Sequence, residues 1–232
     1  MSEVPAAEPS VESGPSATRR ERLRINEIFH SLQGEAESVG YPTVFVRLTG
    51  CPLRCQYCDT AYAFHEGEWL ELEAILDRVA AFATRHVCVT GGEPLAQPAC
   101  RALLARLCEA GHAVSLETSG ALDIDRIDAR VSRVVDVKTP GSGEAARNRL
   151  ENLALLRPQD QVKFVICSRE DFDWSRALVA AHDLTRRCQV LFSPSYTELP
   201  AATLADWILA ERLPVRFQLQ LHKVLWGDVP GK

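Results

Sequence analysis

Three closely spaced cysteines are the residues of this 232-residue chain whose types and spacing most directly suggest chemistry. Cys51, Cys55 and Cys58 form a Cys-x₃-Cys-x₂-Cys pattern within the run 47–60. A structural zinc ion usually takes four protein ligands, and a cubane iron–sulfur cluster normally takes four thiolates. Three thiolates on one short loop could hold three irons of a [4Fe–4S] cluster. The fourth iron would then be open to a small chelating molecule.

Other chemistries also use cysteines at similar spacing. A redox Cys-x₂-Cys pair would use Cys55 and Cys58 and leave Cys51 unexplained. A zinc knuckle would need a distant fourth ligand. A disulfide framework is disfavoured because nothing marks the chain as secreted. The spacing therefore favours an iron–sulfur site and leaves the redox and zinc interpretations open.

A second motif, Thr90-Gly91-Gly92-Glu93-Pro94, follows a short β-branched run. Glycine at a strand end lets the amine and carboxylate of a ligand approach without a clash with Cβ. Glu93 offers a carboxylate to an ammonium group. The alternative is an ordinary glycine-rich turn with Pro94 at the start of a helix.

Composition narrows the class of protein. The chain is 46% hydrophobic, enough for a core, and its 26 basic and 31 acidic residues give a net charge of −5. This balance gives no support for binding to nucleic acid or to an anionic membrane. No apolar run approaches the ~20 residues of a membrane span, and the N-terminus lacks signal-peptide features. We expect a cytoplasmic protein. The other cysteines, read as reduced packing residues, are Cys88, Cys100, Cys108, Cys167 and Cys188.

Strand-like and helix-like segments alternate after a Pro-, Ser- and Glu-rich stretch, residues 1–20, which we expect to be a disordered tail. The predicted strands are Arg24–Phe29, Thr43–Leu48, His86–Thr90, Ala113–Glu117, Arg133–Val137, Gln161–Ile166, Gln189–Phe192 and Val215–Gln220. The predicted helices are Leu70–Thr84, Pro98–Ala110, Ala145–Leu156, Asp171–His182 and Ala201–Glu211.

This alternation predicts an α/β fold with a parallel sheet and right-handed crossovers. The cysteines, Gly91-Gly92, Thr118, Lys138 and His222 each come soon after a predicted strand. Carboxyl ends of parallel strands lie at one edge, where ligands bind. About six strands fit an open, partial (β/α)₆-type barrel better than a closed eight-fold one. We expect one domain over residues 21–232.

The cysteine and Gly-Gly-Glu motifs together resemble those of the radical S-adenosylmethionine (SAM) superfamily. Further motifs resemble one family in it, the 7-carboxy-7-deazaguanine synthases, from about Leu23 to Leu225. The motifs that carry this resemblance are Ile25–Glu35, Val46–Cys51, Cys58–Thr60, Thr90–Pro94, Glu117–Gly120, Val162–Ile166 and Gln220–Leu225.

The resemblance implies a ring-contracting lyase that converts 6-carboxy-5,6,7,8-tetrahydropterin to 7-carboxy-7-deazaguanine with loss of ammonia, on the route to queuosine. It implies a [4Fe–4S] cluster, SAM and Mg²⁺, a flavodoxin or ferredoxin reductant, and a homodimer. Two rivals stay open: a glycyl-radical-enzyme activating enzyme, and a noncatalytic iron–sulfur or zinc module.

The resemblance also implies roles for single residues. Cys51, Cys55 and Cys58 would hold the cluster, and Thr60 with Asp59 close by would hold Mg²⁺, although Asp59-Thr60 could simply cap a turn. The implied SAM contacts are Tyr57, Gly91, Gly92, Glu93, Thr118 and Lys138. The implied substrate contacts are Leu32, Gln33, Gly34, Glu35, Arg47, Thr90, Glu117 and His222.

The chain departs from the family pattern at several positions. Ala36 stands where many relatives carry Gly, and Ser193-Pro194 replaces a Gln-Pro of some relatives. The chain continues through Trp226–Lys232 past the point where some relatives end. The connection Ala61–Trp69 leaves little room for the usual first crossover helix.

Overall fold

The computed structural model describes residues 21–227, 229 and 231, and its described part contains one nine-stranded sheet. The strands are β1 (Arg22–Leu32), β2 (Pro42–Leu48), β3 (Glu68–Glu71), β4 (His86–Gly91), β5 (Ala113–Thr118), β6 (Ser132–Asp136), β7 (Gln161–Ile166), β8 (Gln189–Pro194) and β9 (Arg216–Phe217). The α-helices are α1 (Leu72–Ala80), α2 (Cys100–Glu109), α3 (Arg169–Ala181), α4 (Leu184–Arg187), α5 (Ala201–Ala210) and α6 (Leu221–Trp226). The predicted disordered tail, residues 1–20, lies outside the described residues.

The strand order of the sheet is β3-β1-β2-β4-β5-β6-β7-β8-β9. Every neighbouring pair from β2 to β9 is parallel, whereas β1 runs antiparallel to both β2 and β3. β9 has only two residues, so six parallel strands are of ordinary length, as the sequence predicts. The α/β class with a largely parallel sheet is confirmed, and the carboxyl ends of these strands share one edge.

Contacts between the two ends of the sheet show that it curls. Leu221 N, just after β9, donates a hydrogen bond to Gly34 O, just after β1, at 2.9 Å. Ala36 N donates to Gln218 Oε1, also at 2.9 Å. β3 and β9 do not pair, so the sheet forms an incomplete barrel whose gap is bridged by these two segments.

The helices that cover the outside of the sheet are amphipathic. α1 buries Leu72, Ile75 and Val79. α2 buries an apolar stripe that includes Leu103 and Leu107. Each fully buried side chain of this kind contributes about 1.5–3 kcal/mol to the free energy of unfolding. All eight cysteines are reduced, and Cys88, Cys100, Cys108 and Cys188 are buried, in agreement with their predicted role in packing.

The predicted helix Ala145–Leu156 is wrong. This crossover contains two short 3₁₀ segments, Ala145–Arg147 and Leu150–Leu155. The Asn152 amide donates to Gly120 O and Leu122 O at 3.0 and 2.8 Å. Asparagine side chains that bond the backbone in this way compete with helical hydrogen bonds, so tertiary contacts override the apolar period.

Other predicted boundaries also need correction. The predicted strand Val215–Gln220 contains only the two residues of β9, and His222 lies in α6 instead of directly after a strand. The predicted start of the helix at Leu70 belongs to β3, which the sequence analysis missed. The short connection 61–69 holds a 3₁₀ turn, Ala61–Phe64, before β3, and the crossover helix itself is α1.

Candidate functional site

A cavity of about 520 Å³ opens at the carboxyl edge of the parallel strands. Residues after β2, β4, β5, β6 and β8 share its wall. Every residue predicted for the site lines this cavity except Glu93. The predicted residues on its wall are Leu32, Gln33, Gly34, Glu35, Arg47, Cys51, Cys55, Tyr57, Cys58, Asp59, Thr60, Thr90, Gly91, Gly92, Glu117, Thr118, Lys138 and His222.

Main-chain hydrogen bonds fix the cysteine loop to two neighbouring segments. Glu93 N donates to Gly50 O at 2.8 Å, which ties the loop to the end of β4. Gln56 N donates to Ser142 O at 3.0 Å, which ties it to the turn after β6. Main-chain hydrogen bonds within the protein therefore stabilise the conformation of this loop.

The three loop cysteines are reduced, partly exposed and face the cavity. Burial raises the pKa of Cys55 to about 11 and also raises the pKa of Cys51. The thiols of Cys51 and Cys55 are therefore protonated at neutral pH, so a metal must displace their protons to bind the thiolates. In the part of the chain that is described, no three His, Cys, Asp or Glu side chains converge on a single ion position. In an iron–sulfur cluster each thiolate binds a different iron, so the three sulfurs do not have to meet at one point. Three free thiols on one loop are therefore a suitable donor set for such a cluster.

The two glycines of the second motif make room for the end of β2 and for the cysteine loop that follows it. A Cβ atom on Gly92 would lie 2.2 Å from Gly50 O and 2.8 Å from Cys51 Cβ. Gly91 has φ +150°, and a Cβ there would lie 2.3 Å from Leu48 O. From the sequence, these glycines were expected to allow the approach of a ligand. In the structure the close neighbour of Gly91 is β2 and that of Gly92 is the cysteine loop, so the two motifs pack against each other through Gly92.

Glu93 is fully buried and lies behind the cavity wall instead of lining it. Its carboxylate accepts hydrogen bonds from Leu95 N at 3.0 Å, from Thr118 Oγ1 at 2.9 Å and from Ser119 N at 2.7 Å. Both oxygens of this carboxylate are engaged within the protein, so an ammonium group that contacted it directly would have to share them. Glu93 fixes Thr118 and Ser119, both of which line the cavity.

Asp59 and Thr60 present oxygen atoms next to the cysteine loop. Thr60 Oγ1 donates to Asp59 Oδ1 at 2.8 Å, and Lys223 Nζ contacts Asp59 Oδ2 at 2.8 Å. Burial opposes ionisation of Asp59, yet the hydrogen bond and charge of Lys223 hold its pKa well below the usual range. A hydroxyl and an ionised carboxylate suit a hard cation such as Mg²⁺, although one carboxylate oxygen already contacts an ammonium group.

A polar network covers the wall that the sequence analysis assigned to the substrate. Gln33 Nε2 and Thr90 Oγ1 donate to the two oxygens of Glu117 at 3.3 and 3.0 Å. Gln33 Oε1 also accepts from Glu35 N at 3.2 Å. These contacts, the Gln33–Thr90–Glu117 network, orient a carboxylate beside the cavity.

Arg47 is held by an ion pair and by aromatic rings. Its Nε donates to Glu27 Oε1 at 2.7 Å, and the same oxygen accepts from Tyr62 Oη at 2.8 Å. The guanidinium carbon lies 5.7 Å from the centroid of the Phe29 ring and 5.8 Å from that of Tyr62. The structural ion pair considered from sequence is therefore present, and Arg47 also lines the cavity.

Gly34 lies on the floor of the cavity, and Ala36 lies two residues further along the same segment. A Cβ on Gly34 would lie 2.1 Å from His222 Nδ1, so only glycine lets His222 lie so close to the floor. Ala36 is buried and has φ 63°, a left-handed conformation that suits glycine better. This backbone geometry accounts for the glycine that many relatives carry there.

Four of the wall residues that were not predicted from the sequence form ion pairs or hydrogen bonds with predicted ones: Asp136, Lys163, Gln220 and Lys223. Lys163 Nζ lies 2.6 Å from Glu35 Oε2 and 3.4 Å from Asp136 Oδ2, and Lys138 Nζ lies 3.0 Å from the same Asp136 oxygen. We call Glu35, Lys163, Asp136 and Lys138 the acid–lysine chain. The available signal was a lysine in the middle of an otherwise apolar predicted strand, Gln161–Ile166.

The fold and the cysteine-lined cavity define a radical SAM enzyme. The family model of the radical SAM superfamily matches residues 45–136. The fold is shared with Escherichia coli QueE, at TM-score 0.65 and 24% identity over 87% of this chain and 95% of that one. It is also shared with Streptococcus suis SuiB bound to S-adenosylmethionine, at TM-score 0.54 and 14% identity over 74% of this chain and 48% of that one.

The chain belongs to the 7-carboxy-7-deazaguanine synthase family. The enzyme of this name from Chlorobaculum tepidum is 44% identical over 208 residues, covering 88% of this chain and 94% of the relative. Those from Koribacter versatilis and Methanospirillum hungatei are each 39% identical, over 88% and 90% of this chain and 97% and 88% of the relatives. Membership of a radical SAM family implies a [4Fe–4S] cluster and SAM. Among the described helices, none has the length and apolar character to cross a membrane.

Proposed function

We propose that this protein converts 6-carboxy-5,6,7,8-tetrahydropterin to 7-carboxy-7-deazaguanine and releases ammonia. One observation carries the proposal: a single cavity holds both the three free cysteines and the Gln33–Thr90–Glu117 network. A volume of about 520 Å³ lies in the range of small-molecule sites. The names of the relatives support the product, 7-carboxy-7-deazaguanine, and the shared cavity supports a site where cluster, SAM and substrate could meet.

In this proposal the cysteine loop holds the cluster, and the opposite wall binds the substrate. Cys51, Cys55 and Cys58 would each bind one iron as a thiolate. With the cluster and SAM bound, the cavity would supply one-electron radical chemistry beside the substrate. The remaining residues have to bind and orient the two small molecules.

The Glu117 carboxylate would accept two N–H bonds from the 2-amino edge of the pterin. Its other hydrogen bonds come from Gln33 and Thr90, which keep it in place. Arg47 would pair with the substrate carboxylate, and Leu32, Gly34, Glu35 and His222 would complete the pocket. A buried pterin edge left without partners would lose binding energy, so these contacts determine which ring system is accepted.

The SAM contacts would come from the wall shared by the second motif and the end of β6. Gly91 and Gly92 would offer main-chain groups, and Thr118 is oriented by Glu93. Lys138 lies with its ammonium 5.8 Å from the centroid of the Tyr57 ring. Glu93 would therefore act on SAM through Thr118 and Ser119 instead of by direct contact.

Magnesium, the reductant and the assembly belong to the same proposal. Thr60, with Asp59 beside it, would bind Mg²⁺ together with oxygens of the substrate. The reductant would be a flavodoxin or a ferredoxin. The protein would work as a cytoplasmic homodimer of single domains spanning residues 21–232, without nucleic acid or membrane.

One anaerobic assay tests the proposal. It contains iron–sulfide-reconstituted protein, a reductant, SAM, Mg²⁺ and 6-carboxytetrahydropterin, and the products are read by mass spectrometry. We expect 7-carboxy-7-deazaguanine. Free 5′-deoxyadenosine without this product would sink the substrate assignment and favour another substrate, such as the protein loop of a glycyl-radical enzyme.

A further inference from the structure

Lys163 contacts two acids that belong to different parts of the cavity. Its ammonium lies 2.6 Å from Glu35 Oε2, on the substrate side, and 3.4 Å from Asp136 Oδ2, on the side of Lys138. The side chains of Lys163 and Glu35 are only 12% and 11% exposed. Lys163 lies in the middle of β7, whose backbone pairs with both β6 and β8. The position of the Lys163 backbone, from which its side chain extends, is therefore fixed.

Glu35 is held from two directions. Lys163 contacts one carboxylate oxygen, and Gln220 Nε2 donates to the other, Oε1, at 2.9 Å. Its own main chain is fixed by Gln33, because Glu35 N donates to Gln33 Oε1. With both oxygens engaged, the plane of the Glu35 carboxylate is set by Lys163 and Gln220 together.

We propose that Lys163 is a positioning residue that orients the Glu35 carboxylate toward the substrate and links it to Asp136 beside Lys138. The inference rests on the proposed function, because it takes Glu35 as a pterin contact. Lys163 acts through Glu35 and Asp136, so its loss should change substrate binding more than the chemistry of a bound substrate.

The charge state of Glu35 gives this role a second signature. Burial alone would raise the pKa of Glu35, yet the charge and hydrogen bond of Lys163, with smaller help from Gln220 and His222, hold it below the ordinary value. The titratable groups facing Glu35 are Lys163 from β7 and His222 from α6, while Asp136 and Glu117 face Lys163. Removing Lys163 should raise the pKa of Glu35, so Glu35 takes up a proton at a higher pH.

The test compares Lys163→Met with Lys163→Arg in the reconstituted holoenzyme, with 6-carboxytetrahydropterin as substrate. For K163M we expect the KM for this substrate to rise about tenfold or more, with a smaller fall in kcat. The acid limb of the kcat/KM profile should move to higher pH. K163R keeps the charge and should restore most of the affinity.

A matched control removes a cation from a buried carboxylate outside the cavity. Arg157 Nε lies 3.2 Å from Asp160 Oδ2, and neither residue lines the cavity. Arg157→Met should lower stability while leaving the KM and the acid limb unchanged. If K163M has the same KM and acid limb as the wild type, the proposed role of Lys163 is wrong.

A double-mutant cycle keeps the inference testable where K163M folds poorly. Glu35→Gln should raise the KM as much as K163M does, and K163M/E35Q, which no longer carries an unpaired Glu35 charge, should be no worse than E35Q alone. Additive losses would overturn the inference, since they would show that Lys163 acts independently of Glu35. A wild-type enzyme that makes no 7-carboxy-7-deazaguanine would instead overturn the proposed function, and this inference with it.

Discussion

Two buried clusters of acids and bases lie at opposite edges of the same sheet, and their hydrogen bonds are satisfied to different degrees. At the amino edge, both oxygens of Asp160 accept hydrogen bonds from Arg133 and Arg157, through side chains and main-chain N–H groups alike. At the carboxyl edge, Asp136 contacts Lys138 and Lys163 through Oδ2 only. Its buried Oδ1 has no hydrogen-bond partner among the described residues.

This difference in hydrogen bonding indicates that the Asp160 cluster is structural and that the Asp136 cluster is part of a binding site. A saturated cluster such as that of Asp160 rigidifies the sheet and leaves no position for a ligand. An unsatisfied buried acceptor costs about 1–3 kcal/mol, and such groups are rare enough to require an explanation. Asp136 lines the cavity whereas Asp160 does not, so a ligand in the cavity would lie against the cluster whose hydrogen bonds are incomplete. Variants at the carboxyl edge should therefore lose activity, and variants at the amino edge should lose stability.

The largest effect is expected for Cys55→Ala at the carboxyl edge. Two thiolates cannot replace three, so the cluster absorbance and SAM cleavage should both disappear, while the thermal unfolding temperature changes little. Cys167→Ala is the matched control: Cys167 is also reduced and partly exposed, but it lies outside the cavity lining. Retained SAM cleavage in the Cys55 variant would rule out the cluster assignment.

Glu117→Ala should lose ring contraction while keeping the cluster. The loss removes the two N–H contacts proposed for the pterin edge and leaves Gln33 and Thr90 without their acceptor, so we expect kcat/KM to fall roughly 10²–10⁴-fold. Cluster absorbance should match that of the wild type. Glu211→Ala removes a carboxylate that pairs with Arg169 and Arg176 outside the cavity, and it should leave kcat/KM unchanged. Unchanged kinetics in the Glu117 variant would remove Glu117 from the site.

Asp160→Ala, at the amino edge, should lower the stability of the protein and leave substrate binding unchanged. The change leaves the Arg133 guanidinium, whose side chain is only 5% exposed, without its carboxylate. Breaking a buried pair in this way destabilises proteins by about 3–5 kcal/mol. Denaturant unfolding of the apoprotein measures this loss, and the folded fraction of the variant should keep a normal KM. A raised KM would show that the two edges are not independent.

The smallest expected effect is a pH dependence of the amino-edge cluster. Burial opposes ionisation of Asp160, but Arg133 and Arg157 together hold its pKa below the ordinary value of 3.8. Its contribution to stability is therefore present above that ordinary value and is lost as the pH falls toward the lower folded-state pKa. The difference in unfolding free energy between wild type and Asp160→Asn should shrink below about pH 4. A constant difference down to pH 2 would contradict this assignment.

The sequence predicts best those parts of the site that are local in the chain. Cys51, Cys55 and Cys58 share one loop, and Gly91 and Gly92 share one strand end, so their spacing alone is informative. The parallel sheet follows from alternating strand and helix patterns, and it correctly brings the loops after β2, β4, β5 and β6 together.

Contacts that depend on strand neighbours were not predictable in the same way. Lys163 lies 128 positions from Glu35, and only the curl of the sheet brings them together. Lys223 and Asp59 are likewise far apart in the sequence and meet only in the folded protein. The helix predicted at Ala145–Leu156 failed because Asn152 bonds to Gly120 and Leu122, partners that no local pattern contains. The hydrogen bonds of Glu93 were not predictable either, because its partners Thr118 and Ser119 lie at the end of β5 and not near it in the sequence.

The raised pKa of Cys55 also bears on how its thiol survives exposure to air. Oxidation and alkylation proceed through the thiolate, and a shift of the pKa of Cys55 from 9.0 to about 11 lowers its thiolate fraction roughly a hundredfold. Protein that has lost its cluster should therefore oxidise slowly at Cys55. A timed exposure of the empty protein to air should therefore leave the Cys55 thiol largely unmodified, which mass spectrometry of its peptide would measure.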